Sequence, residues 1–417
     1  RVEVGIHGFW RSYRNIDRLV SDELKLDAGR VFTPYVQSAL HTKDGLSVVA
    51  PILGDLPRLP APLGPALYPK FRCTARLGLL DRASALGLTK AFLDFDGSEE
   101  SWRRYDKITA REARPGVSQR LYDEFLEPML LVLPMCPGED CSAAAALSCF
   151  QYFALEHQAR CDSRNTRGDF DVRWLRGSAS DLIFAPWLRA IEKDGGRVLG
   201  GKRVSTVQFR PPTSTGELES GEGDEGVGFT KQASTERGRE GARGVRGVSL
   251  VGDVGGDDDV AAVRVETLDG DVFEADAVVL AVGITAAKGL VRSSPELASK
   301  PEFHALSNLR GVDVVAVRLF FKGRLAMPRA ASVAGGGMAP GLEAAGLTFY
   351  HLNDLQDAYR SKEGSVIEVD MYHASTLLPL KDEDVMQTAL AALNKAVPEL
   401  GVGSDMLEDF AVVRASQ

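Results

Sequence analysis

The feature that most constrains the fold is a long polar segment between two stretches in which apolar and polar residues alternate. Residues 203–209 (Arg-Val-Ser-Thr-Val-Gln-Phe) alternate with a period of two before the segment, and residues 260–267 do so after it. A period of two is typical of strands with one buried face. The two stretches therefore predict a β-hairpin whose connection carries the polar segment, because a longer loop adds little closure entropy.

The polar segment spans residues 211–259 and consists mainly of Gly, Ser, Thr, Glu, Asp and Arg. Leu218, Val227 and Phe229 are almost its only large apolar residues before Val245. A segment of this composition buries too little apolar surface to offset the entropy lost on ordering. We expect a disordered insertion at the tip of the hairpin.

Stronger apolar patterns surround the hairpin. Residues 275–283 form a continuous apolar run closed by glycine, which predicts a strand buried on both faces inside a layered α/β sheet. Residues 312–321 and 365–372 also have the pattern of strands. Apolar residues at helical spacing over 385–397 predict a helix that stops near Pro398.

A different pattern occupies the region between residues 46 and 158. Prolines are dense from Pro51 to Pro69, and two helical patterns follow, beginning near Ser118 and Ser142. We expect a largely helical subdomain inserted into an α/β domain. These apolar helices could form a lid or a hydrophobic substrate cleft, and ordinary core packing explains them equally well.

Composition excludes several functional classes. The chain has 417 residues, so two domains, or one domain with large insertions, are expected. Its formal net charge of −9 disfavours a sequence-independent nucleic-acid binder. No apolar run reaches 18 residues, so no transmembrane segment is expected. The five cysteines show no C-x-x-C spacing, and no metal site is expected.

The densest cluster of polar groups lies at the start of the chain. Gly5 and Gly8 allow a ligand to approach the backbone closely, while His7, Arg11 and Tyr13 supply hydrogen-bond donors. A glycine-rich loop with solvated arginines is the alternative interpretation of the same residues.

Several segments in combination resemble the FAD-dependent amine oxidase superfamily. Within it the similarity is to the phytoene and ζ-carotene desaturase-like flavoproteins of cyanobacteria and plastids. The resemblance rests on Glu-x-Gly-x-His-x-Phe in residues 3–9 and on residues 102–112, 125–131, 170–177 and 276–283. It covers nearly the whole chain apart from the insertion.

The resemblance implies a mixed α/β fold in which two domains are interleaved. A glutathione-reductase-like FAD domain would comprise residues 1–45 and 170–290. A substrate domain with the helical subdomain would comprise residues 46–169 and 291–400, and residues 401–417 would begin the return to the FAD domain.

The same resemblance assigns the site residues. It places Glu3, Gly5 and His7 near the isoalloxazine ring and Val204 beside the adenine end of FAD. The return of the chain to the cofactor would involve Ala281, Val282 and Gly283. The candidates for catalysis are His7, Arg11 and Tyr13.

The implied function is FAD-dependent removal of hydride from an apolar small molecule, such as a carotenoid or another isoprenoid. Such a reaction depends on aligning the substrate with the flavin and excluding water more than on a strong acid or base. The alternatives are a redox-neutral carotenoid isomerase that uses reduced FAD, and a non-catalytic binding protein whose flavin site has decayed. Peripheral membrane contact and a plastid location are expected by analogy.

The sequence also departs from the family pattern. The glycine fingerprint G-x-G-x-x-G that binds the pyrophosphate would precede residue 1, and a Gly-Asp segment would follow Gln417. We therefore expect the isolated 417-residue chain to bind FAD weakly. A fluorescence-quenching titration checks this expectation, and a micromolar Kd for FAD would contradict it.

Overall fold

The computed structural model describes residues 5–10, 13–36, 39–49, 77–151, 172–209 and 263–415. The chain forms two compact units, one made of Arg1–Val198 with Gly311–Gln417 and the other of Leu199–Arg310. The predicted insertion at 211–259 lies outside the described residues. The predicted division into FAD and substrate domains stays a prediction.

Strands in both units are mostly antiparallel. In chain order they are β1 (Gly8–Trp10), β2 (Ala39–Thr42), β3 (Gly45–Val49), β4 (Val172–Trp174), β5 (Val204–Phe209), β6 (Val263–Thr267), β7 (Val272–Ala275), β8 (Val314–Phe321), β9 (Ala331–Ala334), β10 (Gly346–His351), β11 (Val366–Tyr372) and β12 (Leu407–Ala415). The first unit contains a seven-stranded sheet in the order β12-β8-β11-β10-β9-β2-β3, in which only the β2–β9 pair is parallel, and a separate β1–β4 pair.

Helices of the first unit are short except near the carboxyl end. The α-helices are Arg14–Arg18, Ala28–Val31, Leu79–Ser84, Thr89–Asp94, Glu99–Tyr105, Gln119–Leu121, Glu127–Val132, Ala143–Phe150, Ala185–Lys193, Leu352–Leu355, Asp357–Arg360 and Asp382–Ala396. The π-helical turns are Leu19–Glu23, Tyr122–Leu126 and Ser180–Phe184. The 3₁₀ turns are Ala85–Leu88, Ser375–Leu377, Pro398–Leu400 and Ser404–Met406.

The main core lies between the seven-stranded sheet and the helix Asp382–Ala396. Val385, Ala389 and Leu393 on this helix are completely buried against β8, β10 and β11. Three acidic residues in the first turn stabilise the positive end of the helix. The strands predicted near 312–321 and 365–372, and the helix predicted to stop near Pro398, are confirmed.

The helical subdomain begins its helices at the predicted serines. Ser118 Oγ accepts a hydrogen bond from the Leu121 N–H at 3.1 Å, and Ser142 Oγ accepts one from the Ala145 N–H at 3.5 Å. Each serine therefore satisfies an N–H group that a helix start leaves without an intrahelical partner. The helix from Ser142 is described as far as Phe150.

The second unit contains a three-stranded sheet in the order β5-β6-β7, and its α-helices are Ile284–Ser293, Pro295–Ala298 and Pro301–Leu306. The pairing of β5 with β6 confirms the predicted hairpin. Val207, Val263 and Val291 form the buried core of the unit. Ser294 Oγ accepts a hydrogen bond from the Val207 N–H at 2.9 Å, which joins a helix start to the sheet.

The strand predicted over residues 275–283 is wrong beyond its first residue. Strand β7 ends at Ala275, and residues 276–283 lie outside any helix or strand. Val279 is 88% exposed and Val282 is 46% exposed. A strand buried on both faces needs neighbouring strands to bond its backbone and cover its side chains. The described residues of this unit provide no strand paired with 276–283.

Replacing Leu393 with Ala tests the main core. Leu393 is completely buried, so its truncation leaves a cavity beneath the sheet. We expect the free energy of unfolding, measured by urea denaturation, to fall by about 2–5 kcal/mol. Lys395→Ala on the exposed side of the same helix is the control, with an expected change below about 0.5 kcal/mol. Equal effects of the two substitutions would contradict this packing.

Candidate functional site

One face of strand β11 carries buried polar side chains, which is unusual for a central strand. Ile367, Val369 and Met371 point toward the apolar core under the helix Asp382–Ala396. Side chains alternate along a strand, so Glu368 and Asp370 lie on the opposite face, and both are completely buried.

Glu368 is neutralised by an arginine directly across the sheet. Arg318 on β8 pairs with Glu368 in register, and Arg318 Nε donates to Glu368 Oε2 at 2.5 Å. The guanidinium also donates to the Tyr359 hydroxyl at 3.1 Å. A buried carboxylate requires such a partner, because an isolated charge in the interior is very costly.

Asp370 has no such arginine. Its Oδ2 accepts a hydrogen bond from the Ile6 N–H at 3.3 Å, whereas its Oδ1 is buried and has no hydrogen-bond partner among the described residues. Burial, followed by the negative charge of Glu368, raises the pKa of Asp370 well above its usual range. The neutral carboxylic acid is therefore favoured at this position.

The segment Gly5–Trp10 lies against this polar face. Gly5 has φ +80°, and a Cβ atom there would lie 3.0 Å from Asp370 Oδ2. Strand β1 follows and pairs with β4, with Gly8 opposite Trp174. A Cβ atom on Gly8 would lie 2.7 Å from the Trp174 ring. Both glycines therefore permit an approach that a side chain would prevent.

Aromatic side chains complete the site on β4, β10 and β11. The Trp174 and Tyr350 rings meet edge to face with centroids 4.9 Å apart. The Tyr372 hydroxyl and Thr348 Oγ1 are hydrogen-bonded at 2.8 Å. The Trp174 Nε1–H is buried and has no partner within the described part of the chain. The part of Trp174 that lies next to Gly8 is the Cζ3–Cη2 edge of its ring.

The site residues expected from the sequence fall in both units. Gly5, His7 and Tyr13 lie in the first unit, where Gly5 contacts Asp370, His7 is exposed and Tyr13 precedes the helix Arg14–Arg18. Glu3 and Arg11 lie outside the described residues. The remaining expected residues, Val204, Ala281, Val282 and Gly283, lie in the second unit.

Within the second unit these residues occupy two places. Val204 begins β5 opposite Thr267 on β6. Gly283 is the residue that precedes the helix Ile284–Ser293, and Ala281 and Val282 lead into it. Their assignment to FAD stays a prediction.

Sequence reasoning missed Glu368, Asp370 and Arg318. The sequence pattern that could have revealed them is the run Val366–Tyr372. It contains two acidic residues, two positions apart, and all its remaining residues are apolar or aromatic. A strand with this pattern could equally have one solvated face. Only the structure, in which both faces of β11 are buried, distinguishes a strand with a buried polar face from a strand with a solvated one.

The helical subdomain contains a small apolar cavity. Its lining is almost entirely apolar and includes Leu88, Phe92, Leu126 and Leu147. The cavity volume of about 30 Å³ corresponds to roughly one water molecule. The expectation that the subdomain forms a lid or substrate cleft stays a prediction. The described residues also contain no cluster of His, Cys, Asp and Glu suited to a metal ion.

Part of the chain matches a known protein family. Residues 243–414 match the family model described as flavin containing amine oxidoreductase. Arg318, Glu368 and Asp370 lie inside this matched region. The chain is also 23% identical over 418 residues to a probable zeta-carotene desaturase of Synechococcus elongatus, a match that covers 95% of this chain and 74% of the relative.

Solved structures share the fold at low sequence identity. A proposed protoporphyrinogen oxidase from Exiguobacterium sp. 255-15 aligns with a TM-score of 0.55 and 14% identity, covering 100% of this chain and 75% of that one. A triple mutant of putrescine oxidase, made to redesign cofactor binding, aligns with a TM-score of 0.56 and 13% identity, covering 99% and 73%. The fold is thus a mixed helix and sheet fold of FAD-dependent oxidoreductases.

Substitution of Gly8 by Ala tests the close contact between β1 and β4. The new methyl group would overlap the side chains of Trp174 and Val172, which are both buried and cannot swing into solvent. We expect a loss of about 1–3 kcal/mol in the free energy of unfolding. Gly323→Ala, where a Cβ atom meets nothing within 4 Å, is the control. Unchanged stability of the Gly8 variant would rule out this packing.

Proposed function

From the flavin containing amine oxidoreductase domain in residues 243–414, we propose that the protein uses FAD to remove hydride from an apolar substrate of the carotenoid or isoprenoid class. The family match confirms the resemblance found in the sequence and supports an FAD-dependent oxidoreductase. The narrower desaturase assignment draws on the relative whose match covers 95% of this chain.

The observation that carries the proposal is the position of Gly5–Trp10 on the buried polar face. The resemblance implies that Gly5 and His7 lie near the flavin ring. In the structure, Gly5 lies against Asp370. A flavin needs a backbone that it can approach closely and hydrogen-bond donors for its polar ring edge. Gly5 and Gly8 meet the first requirement. The exposed His7 is the candidate donor for the second.

Bound FAD would supply the electron-accepting ring, and the protein residues would supply position and protection from water. The residues that would hold it in the first unit are Gly5, His7 and Gly8, on the segment Gly5–Trp10. The buried sheet face under them excludes solvent, which favours hydride transfer over side reactions. Desaturation also releases a proton from the carbon next to the one that loses hydride. The cation left by hydride loss is strongly acidic, so water or a weak base would accept this proton and no strong base is needed.

Two alternatives remain in the proposal. A redox-neutral isomerase would use reduced FAD and leave the number of double bonds unchanged. A non-catalytic protein would have lost the flavin site. The match of residues 243–414 to the flavin containing amine oxidoreductase family favours a protein that still binds FAD.

Anaerobic mixing of the FAD-loaded, full-length protein with a ζ-carotene-type polyene tests the function. A desaturase bleaches the visible flavin absorption and forms a product with one more double bond. An isomerase instead needs added reductant and forms a product of the same mass. Protein whose flavin was reduced beforehand is the control for the desaturase reaction. A full-length protein that binds no FAD would contradict the enzyme assignment.

Peripheral membrane contact is part of the proposal. Leu79 and Leu80 begin the helix Leu79–Ser84 and are 84% and 88% exposed, and Leu93 on the helix Thr89–Asp94 is also exposed. Exposed apolar side chains of this size suit a lipid surface that carries an apolar substrate. No helix among the described residues is long and apolar enough to cross a bilayer. A plastid location is likewise proposed from the desaturase-like similarity.

Vesicle binding tests the membrane contact. Replacing Leu79 and Leu80 together by Ser should weaken co-sedimentation with phosphatidylcholine and phosphatidylglycerol vesicles by about tenfold or more, because each buried leucine contributes about 1.5–3 kcal/mol. Leu268→Ser, at a leucine that is 68% exposed in the turn between β6 and β7, is the control. Equal binding of the double variant and the control would contradict the contact.

A further inference from the structure

We propose that Cys136 and Cys141 form a disulfide bond by exchange with a small disulfide of the glutathione type. Both residues are free thiols in the structure. They lie in the turn between the helices Glu127–Val132 and Ala143–Phe150 of the helical subdomain. This modification site is separate from the proposed flavin site and does not depend on the proposed function.

The turn that carries the two cysteines is tight and held from outside. The N–H groups of Asp140 and Cys141 both donate to the Pro137 carbonyl oxygen, at 3.0 and 2.9 Å. The Gly138 N–H donates to both carboxylate oxygens of Glu127, at 3.2 and 3.1 Å. Because these bonds fix the backbone of the turn, the chain folds back toward the residue that precedes Pro137.

Each cysteine is also tied to a neighbouring segment by its own backbone. The Cys136 N–H donates to the Leu130 carbonyl oxygen at 3.1 Å. The Cys141 carbonyl oxygen accepts a hydrogen bond from the Ala110 N–H at 2.8 Å. The positions of both side chains are therefore set by the fold rather than by free movement of a loop.

The two thiols meet inside this frame. The Cys136 and Cys141 side chains are hydrogen-bonded to each other, and both pack against the apolar cluster that contains Leu130 and Ala146. A disulfide requires the two sulfur atoms to approach to about 2 Å. Sulfur atoms that already share a hydrogen bond need only a small approach to reach that distance.

The two cysteines differ in their access to solvent. Cys136 is partly exposed, whereas Cys141 is only 4% exposed. Only Cys136 can therefore meet a disulfide that arrives from solvent. The proton shared between the two sulfur atoms can move to Cys141, which leaves the reactive thiolate on Cys136.

The exchange proceeds in two balanced steps. The Cys136 thiolate attacks one sulfur of the small disulfide, breaks its S–S bond and expels one thiolate, which takes a proton from water. Cys141 then loses its proton to water and attacks the Cys136 sulfur, and the second small thiolate leaves and is protonated. The cysteine pair is oxidised by two electrons, and the small disulfide is reduced to two thiols.

The surroundings of the pair favour a stable disulfide over a rapidly cycling one. The hydrogen bond to Cys141, burial and the negative charges of Asp140 and Glu127 all raise the pKa of Cys136. Attack by this thiol is therefore slow near neutral pH. Reduction of the disulfide must expel a thiolate into the same environment, so reduction is slow as well.

Thiol mapping of the full-length protein tests the proposal. The protein is incubated with oxidised glutathione at pH 8 and denatured, its free thiols are alkylated, and its peptides are sequenced by mass spectrometry. We expect Cys136 and Cys141 to escape alkylation together, with the loss of two hydrogen atoms. Cys149, whose pKa is raised to about 11 by burial, should remain a free thiol and be alkylated.

Three substitutions separate the roles of the thiols. Cys141→Ser removes the second step, so a mixed disulfide with glutathione should accumulate on Cys136. Cys136→Ser removes the accessible thiol, so Cys141 should remain free. Cys149→Ser is the matched control and should be oxidised as wild type is. A purely structural role of either cysteine would not produce this difference between the first two variants.

The unfolding temperature gives a second measurement. A disulfide restricts the unfolded chain, so oxidised wild type should unfold at a temperature about 2 °C or more above that of the reduced protein. Cys149→Ser should show the same increase. Cys141→Ser should show none, because its mixed disulfide closes no loop.

Three results would overturn the proposal. Cys136 and Cys141 might both stay free after prolonged oxidation of wild type. A bond from either of them to another cysteine of the chain would show that the pair is not preorganised. A glutathione adduct on Cys141 in Cys136→Ser, as abundant as the adduct on Cys136 in Cys141→Ser, would contradict the assigned order of attack. None of these experiments involves FAD, so each leaves the proposed function unaffected.

Discussion

The buried pairing of Arg318 with Glu368 across β8 and β11 is the interaction on which the first unit depends. Strand β11 is central in the sheet and buried on both faces, so its acidic residues have no access to water. One face is stabilised by apolar contacts with the helix Asp382–Ala396. The other is compatible with folding only because the guanidinium neutralises Glu368, and breaking a buried pair of this kind typically costs about 3–5 kcal/mol.

Burial, followed by the negative charge of Glu368, raises the pKa of the neighbouring Asp370 well above its usual range. Asp370 also anchors the segment Gly5–Trp10, because its Oδ2 accepts a hydrogen bond from the Ile6 N–H. Ile6 and Asp370 are 364 residues apart, so the site forms only when the sheet and the first strand have both assembled. The segment Gly5–Trp10 is therefore held by a residue of the sheet.

The sequence predicted the regular elements well where the pattern was local and one face was buried. The strands near 312–321 and 365–372, the hairpin of β5 and β6, and the helices capped by Ser118 and Ser142 are all present. The strand over residues 275–283 was wrong because an apolar run shows only that burial is favourable. A strand also needs a neighbouring strand to bond its backbone, and none of the strands described in the second unit pairs with residues 276–283.

For the candidate site the sequence determined less. Gly5 and Gly8 were identified from residue types, and the resemblance linked Gly5 to a flavin. The expected roles of His7, Arg11 and Tyr13 stay predictions. Glu368 and Asp370 could not be recognised, because a period of two in β11 does not state whether its polar face meets water or protein.

The sequence by itself thus determined which segments are strands and helices, where two helices begin, and that the chain is similar to flavin-dependent oxidoreductases. These properties follow from side-chain periodicity, capping groups and short motifs, all of which act over a few residues. Only the tertiary structure decided that Arg318 meets Glu368 and that Asp370 meets Ile6. Such contacts are set by strand order and register, which arise from the packing of segments hundreds of residues apart.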